Sequence, residues 1–118
     1  MERIAYYGRI ETGDQRLVAQ LLRSWTRTSD LREKLGNVGY EFVYEATGFY
    51  LFCHEAGTEA GIAPHFLLEG HIDGTLGQAQ LLLQQLHRQC MHEHVRSSLE
   101  YVQVDDDGNE LSEQAYIR

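Results

Sequence analysis

Three side chains on neighbouring strand-like segments could share acid–base work: His54, Glu69 and His71. Residues two apart on a strand project from the same face, so Glu69 and His71 are companions by periodicity alone. An imidazole beside a carboxylate is the usual equipment of general acid–base catalysis on a small substrate. That reading is the enzymatic alternative, and it requires a strand order that brings His54 alongside.

A second cluster is His87, Cys90 and His94, whose spacing places them along one flank of a helix. Imidazole and thiolate at this spacing can bind zinc, but no fourth ligand accompanies them. Cys90 also falls on an apolar stripe, where a free cysteine packs as a small hydrophobe. Late-helix histidines favour the negative end of the helix dipole. Asp105-Asp106-Asp107-Gly108-Asn109-Glu110 has the look of a calcium loop. With Gly108 at the sixth position, Gln114 falls at the twelfth, and an amide cannot supply the bidentate carboxylate required there. The segment reads as a hairpin turn. No phosphate loop, nucleophile elbow or cofactor motif is present, so neither a metal nor another cofactor is expected.

The same acidic segment resembles the D-P-D-G-N ending of vicinal-oxygen-chelate proteins, with Asp106 where that pattern carries proline. The resemblance implies strand-helix-strand-strand-strand modules. The interval before Pro64 is too short for the additional strand, and the first strand offers no His for that family's ligand.

Charge narrows the partners. The chain has 118 residues and a formal net charge of −8. Its ten Lys and Arg residues are scattered, which argues against nucleic acid, since phosphate contacts need cations gathered on one face. No apolar run is long enough to span a bilayer. The two cysteines, Cys53 and Cys90, have no motif spacing, and two reduced thiols in a cytoplasmic protein is the simpler reading over one disulfide. An apolar content of 42% supports a folded core, and the length fits a single domain over residues 1–118.

The elements that must position these residues follow from periodicity. Arg3 to Ile10 alternates as a strand, with Ile4, Tyr6, Gly8 and Ile10 on one face. Thr12-x-x-Gln15 reads as a capping box opening a helix striped by Leu17, Val18, Leu21, Leu22 and Trp25. Asp30-x-x-Glu33 reads as a second helix start with a stop at Gly36, which places a kink or break near Ser29. Tyr40 to Ala46 and Phe49 to His54 flank Thr47-Gly48 as a hairpin, pairing Ala46 with Phe49, Tyr44 with Leu51 and Phe42 with Cys53. After a small-residue loop ending at Pro64, Phe66 to Ile72 reads as a strand. Thr75-x-x-Gln78 caps a second helix, striped by Leu76, Ala79, Leu83, Leu86 and Cys90. Leu99 to Val104 and Leu111 to Ile117 close the chain as two strands around Asp107-Gly108.

The order is strand-helix-strand-strand, twice. A short internal echo supports a repeat over roughly residues 1–58 and 63–118. Gly8-Arg9-Ile10-Glu11 returns as Gly70-His71-Ile72-Asp73, and Ala19-Gln20-Leu21-Leu22 as Ala79-Gln80-Leu81-Leu82. The expected fold is α+β: one mostly antiparallel sheet of about six strands with both helices on one face, ferredoxin-like or a related sandwich. A duplicated unit of this order resembles the gyrase-inhibitor-like proteins. That resemblance in topology implies binding of small, often cationic molecules.

The strand faces turned away from the helices then carry Tyr7, Arg9, Glu41, Val43, Glu45, Tyr50, Phe52, His54, Leu67, Glu69 and His71. Aromatic groups mixed with carboxylates and imidazoles are unlike a purely solvated face and mark a contact surface. The expected function is a non-catalytic cytoplasmic binding module. It uses Tyr7, Glu41, Glu45, Tyr50, Phe52, His54, Glu69 and His71 for a small molecule or a protein partner. A related alternative is an acidic inhibitor or immunity-type protein that neutralises a basic partner. A homodimer is expected, formed either face to face or through the last strand.

Overall fold

The computed structural model describes residues 2–118 except 38 and 58. Seven strands and two helices follow one another as β1 (Arg3–Ile10), α1 (Gln15–Thr26), β2 (Arg32–Leu35), β3 (Tyr40–Ala46), β4 (Phe49–Ala56), β5 (His65–Asp73), α2 (Leu76–His92), β6 (Ser97–Val104) and β7 (Ala115–Ile117). All strands join one sheet of order β2-β3-β4-β5-β1-β6-β7. Every pairing is antiparallel.

The centre of this order is the split β-α-β arrangement of a ferredoxin-like fold. Helix α2 carries the chain from β5 over β1 to β6. Helix α1, followed by β2 and β3, carries it from β1 over β5 to β4. Each half therefore inserts its strand into the other: β4 pairs with β5, and β6 pairs with β1. Strands β2, β3 and β7 widen the sheet at its two sides.

One core lies between the helices and the sheet. The buried stripes Val18, Leu21, Leu22 and Trp25 of α1 and Ala79, Leu83, Leu86 and Cys90 of α2 meet Ile4, Tyr6, Ile10, Phe42, Leu51, Cys53, Phe66 and Leu68. Trp25 ties the helices together by donating from Nε1 to the Leu82 carbonyl at 2.7 Å. Tyr6 reaches across its neighbour strand. Its hydroxyl passes Gly70 on β5 and donates to the Tyr50 carbonyl on β4 at 2.7 Å. A methyl group at residue 70 would collide with both groups.

Local signals match the structure where they faced no competitor. The hairpin register is as expected, with Gly48 at φ 76°. Thr75 and Gln78 make both bonds of the capping box. The acidic turn closes on Asp105, whose carboxylate accepts from the Asp107 and Asn109 amides at 2.9 Å each. Those bonds, led by Asn109, hold its pKa below the usual range.

Five expectations are corrected. Asp14, not Thr12, caps α1: its carboxylate accepts from the Arg16 and Leu17 amides, while the Thr12 hydroxyl accepts from the Asp14 amide. The segment after Ser29 is not a second helical start. Arg32–Leu35 is a strand, because pairing with β3 outweighs a cap-like motif too short to bury a stripe. This strand brings the sheet to seven rather than six, and it gives the first half three strands after its helix, for which the interval before Pro64 reads as too short. Finally, only Ala115–Ile117 of the expected last strand is paired in the ladder. Before it, the Leu111 amide donates to the Gln103 carbonyl, and the Ser112 hydroxyl accepts from the Gln103 amide.

Candidate functional site

The face away from the helices is ordered into rungs by strand register. Side chains directly opposite on neighbouring strands lie side by side, with about 4.8 Å between strands. The central rung runs Arg32, Val43, Phe52, Glu69, Tyr7, Glu100, Tyr116. From Phe52 onward it alternates aromatic and carboxylate across five strands. On one side lies the rung Lys34, Glu41, His54, Leu67, Arg9, Ser98; on the other, Glu45, Tyr50, His71, Ala5, Val102.

All eight residues named from the sequence are on this face, but they do not form one cluster. Tyr7, His54 and Glu69 line an open groove of about 380 Å³ together with Arg9, Leu67, Glu100, Tyr116 and Arg118. Glu41, Phe52 and His54 line a second hollow of about 440 Å³ near Ile62 and His65. Glu45, Tyr50 and His71 line neither.

The acid–base trio does not converge. His71 faces Tyr50 on β4, and His54 lies four residues further along that strand, about 14 Å away. Each imidazole is instead held by an aromatic ring: His54 stacks on Phe52 at 5.4 Å, and His71 meets the edge of Tyr50 at 5.8 Å between centroids. Burial, reinforced by the Arg3 guanidinium, lowers the His71 pKa. Its Nδ1 is buried without a hydrogen-bond partner among the described residues.

The helical cluster also separates. Helix α2 ends at His92, and His94 occupies a turn residue at φ 59°. His87 Nδ1 lies 2.7 Å from the Ser97 hydroxyl, and Cys90 is fully buried with its thiol pKa raised. Cys53 is also buried and unpaired, and burial pushes its thiol pKa well up. Both cysteines are free.

Ion pairs engage some charges of this face, whereas Glu45 has none among the described residues. Glu41 pairs with Lys34 at 3.5 Å, Arg9 with Glu11 at 3.5 Å, and Arg3 with Asp73 at 2.9 Å. Glu69 and Glu100 have no ion-pair partner among the described residues. They flank Tyr7, which is 45% exposed. Beyond Glu100, the guanidinium carbon of Arg118 sits 4.7 Å over the Tyr116 ring.

Glu100, Tyr116 and Arg118 are the residues that sequence reasoning missed. Alternation in β6 already turned Glu100 away from Leu99 and Tyr101. Its neighbourhood with Tyr7 depends on β6 lying beside β1, which no local pattern encodes. No family model matches this chain, and no curated protein matches it in sequence. Among the described residues, no helix is long and apolar enough to cross a membrane.

Proposed function

We propose that this chain is a non-catalytic binding module of the cytoplasm, whose open sheet face takes a flat cationic group carried by a small ligand or a protein partner. The observation that carries this reading is the alternation Phe52, Glu69, Tyr7, Glu100, Tyr116 across one rung. A carboxylate between two aromatic rings offers a cation both a counter-charge and a π face. Neither Glu69 nor Glu100 spends its charge on an ion pair with another described residue.

Titration with cationic aromatic compounds, followed by amide chemical shifts, tests the proposal. Shifts are expected at Tyr7, Glu69 and Glu100. Glu69→Gln should weaken binding about tenfold, the worth of one charge-assisted contact. A flat response across such compounds, with Tyr7→Ala and Phe52→Ala variants indistinguishable from the parent, would sink it.

The face also supports a second reading as the contact of a homodimer. Both sheet edges are poor templates for pairing: β2 presents Arg32, Glu33 and Lys34, and β7 is three residues long. Leu67 and Tyr7 are exposed on the open face, which makes face-to-face packing the favoured route.

A further inference from the structure

We infer that the cation this face takes is a guanidinium, presented as an arginine side chain by a basic polypeptide. The inference rests on the binding-face reading above and narrows it to one chemical group and one kind of partner. The chain supplies its own example. Arg118 lies over Tyr116 at 4.7 Å, inside the groove that Glu100 also lines.

A carboxylate between two aromatic rings occurs twice on this face; Arg118 touches only the Tyr116 ring of the outer unit and makes no ion pair with Glu100. Glu100 stands between Tyr7 and Tyr116, and Glu69 stands between Phe52 and Tyr7. The two aromatic–carboxylate–aromatic units share Tyr7. One holds an arginine of this chain over its outer ring. In the other, Glu69 faces no cation at ion-pair distance among the described residues; the nearby Arg9 lies 3.5 Å from Glu11, and its Nε is buried without a hydrogen-bond partner.

Guanidinium suits this geometry better than ammonium. A planar cation lies flat on a ring while its edge N–H groups reach a neighbouring carboxylate. It is also weakly hydrated, so it gives up less on entering a shallow groove than the compact ammonium of lysine does. A polypeptide suits it better than a free small molecule. Small-molecule sites enclose most of their ligand, whereas a sheet surface covers only one side of it. A chain that brings arginine with further contacts recovers the difference. The net charge of −8 draws a basic chain toward the face. Arg118 then acts as a resident competitor at the outer unit.

The test titrates labelled protein at low salt with three probes: acetyl-(Gly-Arg)-repeat amide, its lysine counterpart, and N-acetyl-arginine amide. The arginine peptide should bind about tenfold more tightly than the lysine peptide, with shifts centred on Tyr7 and Glu69. Glu69→Gln should remove most of that preference while its circular dichroism matches the parent. Arg118→Ala should extend the shifts to Tyr116 and strengthen binding. Equal affinity for the arginine and lysine peptides would overturn the guanidinium inference while leaving a cation-binding face standing. Binding of N-acetyl-arginine amide as tight as the peptide would overturn the polypeptide source. Silence at Tyr7 and Glu69 with every probe, in the parent and in Arg118→Ala, would remove both the inference and the reading beneath it.

Discussion

At the residue scale, Tyr6 connects the core to the binding face. Its ring packs edge-on against Trp25 at 6.0 Å and beside Phe49 at 6.3 Å, on the helix side of the sheet. Its hydroxyl ends on the carbonyl of Tyr50, a residue whose side chain projects from the opposite side beside His71. The contact is possible because residue 70 is glycine. Tyr6→Phe leaves the shape intact but removes the donor from a part-buried carbonyl, a loss of about 1–2 kcal/mol in chemical unfolding. Gly70→Ala places a methyl against the Tyr50 carbonyl and the Tyr6 hydroxyl, so it should cost more than Tyr6→Phe. Gly8→Ala meets the Leu99 and Leu68 side chains and, less closely than at residue 70, a backbone oxygen, that of Ser98. A Gly70→Ala variant as stable as the parent would show that the strand can shift and that Tyr6 does not fix it. The echo of Gly8 and Gly70 was legible as a pattern. What each glycine makes room for was not, because the answer lies on neighbouring strands.

At the scale of elements, the sequence was readable wherever one signal stood alone. Thr75 and Gln78 had no rival, and they make the cap and its reciprocal bond. Thr47-Gly48 set the β3–β4 register for the same reason. Thr12 and Asp14 are both good N-cap residues two positions apart, and the carboxylate gains more by facing the positive end of the helix. Asp14→Ala should therefore lower stability by about 1 kcal/mol, and Thr12→Ala by less, because only the Asp14 side chain accepts from α1 amides. Equal losses in denaturant titrations would return the cap to Thr12. Strand β2 is the harder case. Asp30 and Glu33 imitate a helix start, yet Arg32 lies opposite Val43 and Glu33 opposite Phe42. That pairing is non-local and leaves no local trace. The candidate site divides in the same way. Tyr7, Phe52 and Glu69 were legible by alternation alone, whereas Glu100 and Tyr116 joined them only through the order β5-β1-β6-β7.

At the scale of the whole molecule, one surface is asked to serve two kinds of partner, and electrostatics separates them. Two copies each carrying a formal charge of −8 repel, so face-to-face association should tighten as salt screens that repulsion. An arginine-bearing peptide is attracted by the same charge, so its binding should loosen over the same range. Both contacts need the rung from Phe52 to Tyr116, and by linkage each must oppose the other. Sedimentation velocity can follow this directly. Rising salt should shift the parent toward dimer, and saturating arginine peptide at low salt should shift it toward monomer. Phe52→Glu should abolish the dimer by placing a third carboxylate beside Glu69 in each copy, where the two faces meet. A dimer that survives both Phe52→Glu and saturating peptide would have to use an edge. The charged β2 and the short β7 make an edge the poorer surface, and such a dimer would leave the rung free for its ligand.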